Sequence, residues 1–160
     1  MRIYHEKRRC EMTAKEYLKR LSRQIEKLET MIQNKTDESE RWKAISLSIT
    51  SRMGGDRVQS SGSKQKMADA IDKRIDLEQE INSLIDQLYD TRRELLNIIE
   101  QLNVDEYDVC YKRYVNRMSF DEIAADKYRS KNWCTTVHGR ALDNVQKIIE
   151  EEKERTHSPL

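Results

Sequence analysis

From Ala14 onward, apolar residues recur in alternating steps of four and three: Ala14, Leu18, Leu21, Ile25, Leu28 and Ile32. That spacing lays one apolar stripe along a helix and is the seam of a heptad repeat. The register continues through Lys35, Ser39, Trp42, Ser46 and Ile49, with polar residues in three of those slots. Thr13 followed by Glu16 is a capping box, so a first helix is expected from 13 to about 50. The Gly- and Ser-rich stretch "TSRMGGDRVQSSGSKQ" at 50–65 reads as a loop, and helix is expected to resume near Lys66. The second seam is read as Ile81, Ile85, Leu88, Leu95, Ile99 and Leu102, interrupted by polar Arg74, Glu78 and Arg92.

A helix with one apolar stripe leaves that stripe wet unless a partner covers it. Two such helices joined by a loop predict a long antiparallel helical hairpin, coiled-coil-like, over 13–102. A homodimer is the other arrangement that buries the same stripes. After Leu102 the pattern changes. In "NVDEYDVCYKRYVNRM" the apolar set is Val104, Tyr107, Val109, Cys110, Tyr111, Tyr114 and Val115, which reads as a short helix opening a small unit over 103–150. Ser119 and Glu122 form a second capping box, and the short helix behind them turns Ile123 and the small Ala124 inward. The chain turns through "KYR", and Ser130 caps a further helix. On that helix Cys134, Val137, Ala141, Leu142, Val145 and Ile148 share one face, while Asn132, Thr136, Gly139, Arg140 and Asp143 lie opposite. The fold class expected is all-α, a hairpin followed by a C-terminal helix-turn-helix unit. Residues 1–12 are expected to be a flexible extension and 151–160 a polar, fraying tail.

Composition supports long helices over a globular sandwich: 36% of residues are hydrophobic and 37% charged, with four Gly and one Pro. No run approaches the eighteen or so apolar residues of a membrane span, and the charged start "MRIYHEKRRCEM" is no secretory signal. No membrane partner is expected, and the location implied is the cytoplasm of a bacterial host. Cys10, Cys110 and Cys134 are odd in number and far apart, unlike a disulfide framework. Cys134 and His138 sit four apart without further ligands, so a buried thiol beside a polar residue is the expectation, and no metal or cofactor is called for. There is no Gly-rich phosphate loop, H-E-x-x-H or nucleophile elbow, and no enzyme is expected.

Charge adds one informative stretch. Asp and Glu number 29 in 160 residues, yet none falls between Lys127 and Leu142. With a net charge of +1, any contact with DNA has to be local. The exposed start of the last helix offers Lys131, Asn132, Trp133, Thr135 and Thr136, with Arg129 just before and Arg140 further on. Asn pairs bidentately with adenine and Lys with guanine; Thr donates, accepts, or offers a methyl to thymine. Lys127, Arg129 and Lys131 are expected to hold a phosphate at the helix start, with Lys112, Arg113 and Arg117 following the backbone. These residues are therefore the candidate double-stranded DNA site. The alternatives are a DNA-packaging oligomer like a small terminase subunit, and a structural coiled-coil adaptor that binds no DNA.

The segment "EIAADKYRSKNWCTTVHGRAL" resembles the region-4 helix-turn-helix of bacterial sigma factors. More broadly the chain resembles phage transcriptional regulators of the ArpU/RinA type, through "MTAKEYLKRL" (12–21), "DRVQSSGSKQKMADAIDKRIDLEQEI" (56–81), "YKRYVNRMSFDEIA" (111–124) and "VHGRAL" (137–142). The resemblance implies a phage or prophage activator of late genes, bound to promoter DNA and in contact with RNA polymerase. It matches the base-reading slots to Lys131, Asn132, Thr135 and Thr136. It also implies a start near Met12, which makes residues 1–11 an upstream extension, or a basic arm through "KRR". Two departures stand out. Tyr128 occupies a turn slot where sigma factors often have Gly, and a left-handed conformation there costs about 1–2 kcal/mol. Lys127 occupies the usually apolar slot before it.

Overall fold

The computed structural model describes residues 12–53 and 61–157, and every element in them is helical. Helix α1 spans Ala14–Met53 and α2 Ser61–Ile99. The short α3, Val104–Cys110, runs into a single π-helical turn, Tyr111–Val115. Then follow α4, Phe120–Asp126, and α5, Lys131–His157. Helix α2 starts five residues before the expected restart at Lys66, so of the expected loop only residues 54–60 remain, and these lie outside the described residues. The expected extension lies outside them up to residue 11, as do 158–160 of the tail. The rest of that tail is helix rather than frayed chain: α5 continues to His157, and a spacing of four brings Glu151 within 4.0 Å of Arg155. None of these helices is long and apolar enough to cross a membrane.

The chain divides into two compact units. The first consists of Glu26–Asp90, the inner parts of α1 and α2, packed as an antiparallel pair. On α1 the positions of the expected register are all buried or half-buried: Leu28, Ile32, Lys35, Ser39, Trp42, Ser46 and Ile49, with Glu29 and Met31 half-buried beside them. Lys35 is tolerated in the seam because its ammonium reaches the Glu80 carboxylate of α2. On α2 the register differs from the expectation. Ala70, Leu77 and Leu84 are buried, while Ile85 is 46% exposed and Glu78 points outward. The row through Arg74, Ile81 and Leu88 is shared with the expected stripe, but its companion row lies one residue earlier. A helix of 3.6 residues per turn offers two companion rows to any such row, and here the leucines were the better one.

The second unit joins residues 12–25 to 91–157. Its core takes Tyr17, Leu18, Leu21 and Ile25 from α1 and Leu95, Ile98 and Ile99 from α2. The side chain of Tyr17 donates its hydroxyl proton to Glu94, and the Ala14 amide donates to Gln146 Oε1 at 2.8 Å, tying the start of α1 to α5. Both expected capping boxes form. Thr13 and Glu16 exchange bonds at α1, and Ser119 and Glu122 do so at α4, where the Ser119 amide meets Glu122 Oε2 at 2.6 Å. Those backbone bonds lower the carboxyl pKa of Glu16 and of Glu122.

Helix α4 is entered and left through left-handed residues that are not glycine, Arg117 (φ 59°) and Tyr128 (φ 52°). The exit is a Schellman motif: the Arg129 amide donates to Ala124 O at 2.9 Å and the Tyr128 amide to Ala125 O at 3.3 Å. Tyr128 therefore adopts the costly conformation that its slot demands, and its side chain is 95% exposed.

Candidate functional site

Seven-residue α4 has little stability alone and is held by what it covers. Ile123 and Ala124 close on Val109 of α3 and on Cys134 and Val137 of α5, with Met118, Phe120 and Trp133 around the rim. The small Ala124 lets α4 cross α5 closely. Ser130 Oγ accepts from the Trp133 amide at 3.1 Å, which fixes where α5 begins. The two caps and this cluster together set which side of the first turns of α5 faces outward.

That outward side carries Asn132, Thr135, Thr136, Gly139 and Arg140, all exposed. Among the described residues the Asn132 carboxamide has no hydrogen-bond partner, so both its donor and its acceptor edges are open. The two threonine hydroxyls donate back to the Asn132 carbonyl, at 3.0 Å from Thr135 and 2.8 Å from Thr136. Their protons are engaged, which leaves lone pairs and methyl groups for an external partner. Trp133 is half-buried against the cluster, with the Arg129 guanidinium 5.5 Å from its ring centroid. It lines a cleft with Val104, Asp105 and Glu106 and does not share the face of Asn132 and Thr136. Arg140 borders both the face and the cleft.

The cations expected to hold phosphate are mostly engaged within the chain. Lys127 Nζ lies 2.6 Å from Asp108 Oδ2, and Lys112 Nζ lies 2.9 Å from both Asp108 and Asp126. This pairing explains why a lysine fits the slot expected to be apolar: the carboxylate of α3 receives it. The Asp108 carboxyl pKa is lowered overall; burial raises it, and the Lys127 and Lys112 bonds outweigh that. Arg113 donates to Met118 O at 2.7 Å and stacks 5.0 Å from the Phe120 ring centroid. Lys131 meets Asp121 at 2.8 Å, but both side chains are more than half exposed, and such pairs contribute no more than about 1 kcal/mol. Of the expected phosphate contacts, Lys131 is thus readily released, whereas Lys112 and Lys127 hold α4 to α3. The Lys127–Asp108 and Lys131–Asp121 pairs join residues too far apart in the chain to leave a local pattern, whereas Lys112 and Asp108, four apart, are legible in the helix period.

On the inner side of α5, His138 is 7% exposed, with its Nε2 2.9 Å from the Tyr114 hydroxyl and Phe120 edge-on at 5.1 Å. Glu106 is also buried, and both of its carboxylate oxygens accept from Asn144 Nδ2, at 3.2 and 3.0 Å. Cys134 and His138 serve this core, and among the described residues no cluster suited to a metal ion forms.

Gly139 stands in the middle of the outward face, and a Cβ added there meets nothing within 4 Å. Nothing inside the chain requires glycine. Gly139→Ala is therefore expected to stabilise α5 by about 1 kcal/mol, read as a higher melting temperature. If a partner approaches this backbone closely, the same variant loses binding while it gains stability.

Comparison of the chain with family models, with curated proteins and with solved structures gives no match.

Proposed function

We propose that the chain binds double-stranded DNA sequence-specifically and regulates transcription, with α4, its turn and α5 acting as a helix-turn-helix. The start of α5 would enter the major groove. The observation that carries this reading is Asn132, the second residue of a capped helix, exposed, with an open carboxamide on a face that holds no acid between Lys127 and Leu142. Such a group is suited to both hydrogen-bonding edges of adenine. Thr135 and Thr136 flank it as acceptors for a base amino group, or as methyl contacts to thymine. Phosphate contacts fall to the α5 N-terminus with Arg129, Lys131 and Arg140. With so few cations available, binding is weak away from the preferred site. The late-gene setting and contact with RNA polymerase rest on the resemblance alone. The competing reading, a structural adaptor that binds no DNA, draws on the intrachain pairing of Lys112, Lys127 and Lys131.

The test is a selection from fragmented phage and bacterial DNA at moderate salt, followed by sequencing of what is retained. One enriched intergenic site is expected. On that site Asn132→Ala should weaken binding by roughly 10- to 100-fold, as expected for one bidentate base contact, and leave random DNA unaffected. Absence of any enriched site, or an equal loss on all sequences, counts against a base-reading α5.

A further inference from the structure

Helix α2 carries a second apolar stripe that the hairpin leaves uncovered. Ile71, Ile75, Ile85 and Tyr89 are 39%, 47%, 46% and 65% exposed. At 100° per residue they fall with Glu78 and Asn82 inside an arc of about 80°, roughly a quarter turn from the seam buried against α1. Half-buried Ile81 and Arg74 lie between the two stripes, and Arg74 reaches Glu78 at the edge of the exposed one. All these positions belong to the unit Glu26–Asp90.

We propose that this stripe is the contact between two copies of the chain, paired antiparallel through α2 about a two-fold axis that passes between the two helices at the level midway from Glu78 to Asn82. The order of residues along the stripe argues for a second copy as the occupant. In that register Ile71 of one copy faces Tyr89 of the other, Ile75 faces Ile85, and Glu78 faces Asn82. Each apolar position meets an apolar one and the two polar positions meet each other, twice over by symmetry. Parallel pairing would place Glu78 beside its own copy, with only the Arg74 guanidinium of the same helix, 3.4 Å away, to offset each carboxylate. The antiparallel arrangement adds the Asn82 amide of the other copy as a donor beside Arg74. Two hairpins joined in this way form a four-helix assembly in which each α2 has two adjacent buried stripes.

Four apolar side chains from each copy make a small interface, so half-association is expected on the order of 10 μM. Asp72 and Asp86 flank the same side of the stripe and come together across the contact. Added salt therefore strengthens this association, opposite in sign to its effect on DNA binding.

The test is sedimentation velocity of the full chain from a few to a few hundred micromolar, on wild type, Ile75→Lys and Ile85→Glu. Both substitutions place good helix formers at exposed positions, and circular dichroism checks that helix content is unchanged. Wild type is expected to shift from monomer to dimer, and each variant alone to remain monomeric. An equimolar mixture of the two variants is expected to recover the dimer, because residue 75 of one chain meets residue 85 of the other and the new charges pair. A wild type that stays monomeric, a variant that dimerises like wild type, or a mixture that fails to recover would each overturn the proposal.

Discussion

Ile123→Ala is expected to lower the stability of the unit formed by residues 12–25 and 91–157 by about 3 kcal/mol, the middle of the range for a buried aliphatic truncated to alanine. The side chain is fully buried and closed in by Val109, Ala124, Cys134 and Val137. Three rim residues, Met118, Phe120 and Trp133, are half-buried, and their partial collapse into the space keeps the cost from the top of the range. The larger effect is local. Besides the exposed Lys131–Asp121 pair and the contact of Phe120 with His138, this cluster is what holds seven-residue α4 to α5, so amides of α4 should lose hydrogen-exchange protection first. Protection within residues 26–53 and 61–90 should change little, because that unit has its own seam. Uniform loss across both units, or a cost below about 1 kcal/mol, would show that the cluster does not hold α4 in place.

A second large effect is expected on acidification. Burial, followed by the nearby charges of Arg113, Lys15 and Lys19, pushes the His138 pKa down to about 4. Tyr114 and Phe120 fill the remaining space around the ring and offer no counter-charge. In the unfolded chain the same imidazole titrates near the ordinary value of about 6.5. Between these values the unfolded state binds the proton and the folded state does not. Stability is therefore fully present above pH 6.5 and is lost as pH falls toward 4. The loss between pH 7 and 4.5 is expected on the order of 2–3 kcal/mol. Urea midpoints across that range give the slope, and His138→Gln should flatten it. If the variant keeps the wild-type slope, the acid sensitivity belongs to other groups. Asp108, lowered by its lysine partners, acts in the same direction but only below the ordinary carboxylate range.

Much of the helical layout was legible from periodicity and caps, since both are local. Thr13, Ser119 and Ser130 mark where α1, α4 and α5 begin, and the stripe of α1 is buried or half-buried as read. The stripe of α2 was half legible. Ile85 and Leu84 are equally apolar neighbours, and only the position of α1 decides which of them is covered. The π turn at Tyr111–Val115 has no local signature in "YKRYV". At the candidate site, the outward position of Asn132, Thr135 and Thr136 could be read from the helix period. The engaged threonine protons, the Lys131–Asp121 pair and the inward turn of Lys127 could not, because each needs side-chain directions or a partner distant in sequence. Tyr128 lies between these cases. Its slot demanded a left-handed residue, the sequence supplied a poor one, and the chain adopts the conformation regardless.

Cys110 and Cys134, each fully buried, give this unit a reporter of its own opening. Burial, with the neighbouring Glu106 charge, raises the Cys110 thiol to about 12, and burial raises that of Cys134. For Cys110, thiolate at neutral pH is scarcer than in a free cysteine by roughly three orders of magnitude, and solvent does not reach the sulfur. An alkylating reagent or an oxidant therefore waits for the unit to open. At high reagent concentration the modification rate of these two residues, followed peptide by peptide, becomes the opening rate, so the native sequence carries a clock for its own fluctuations.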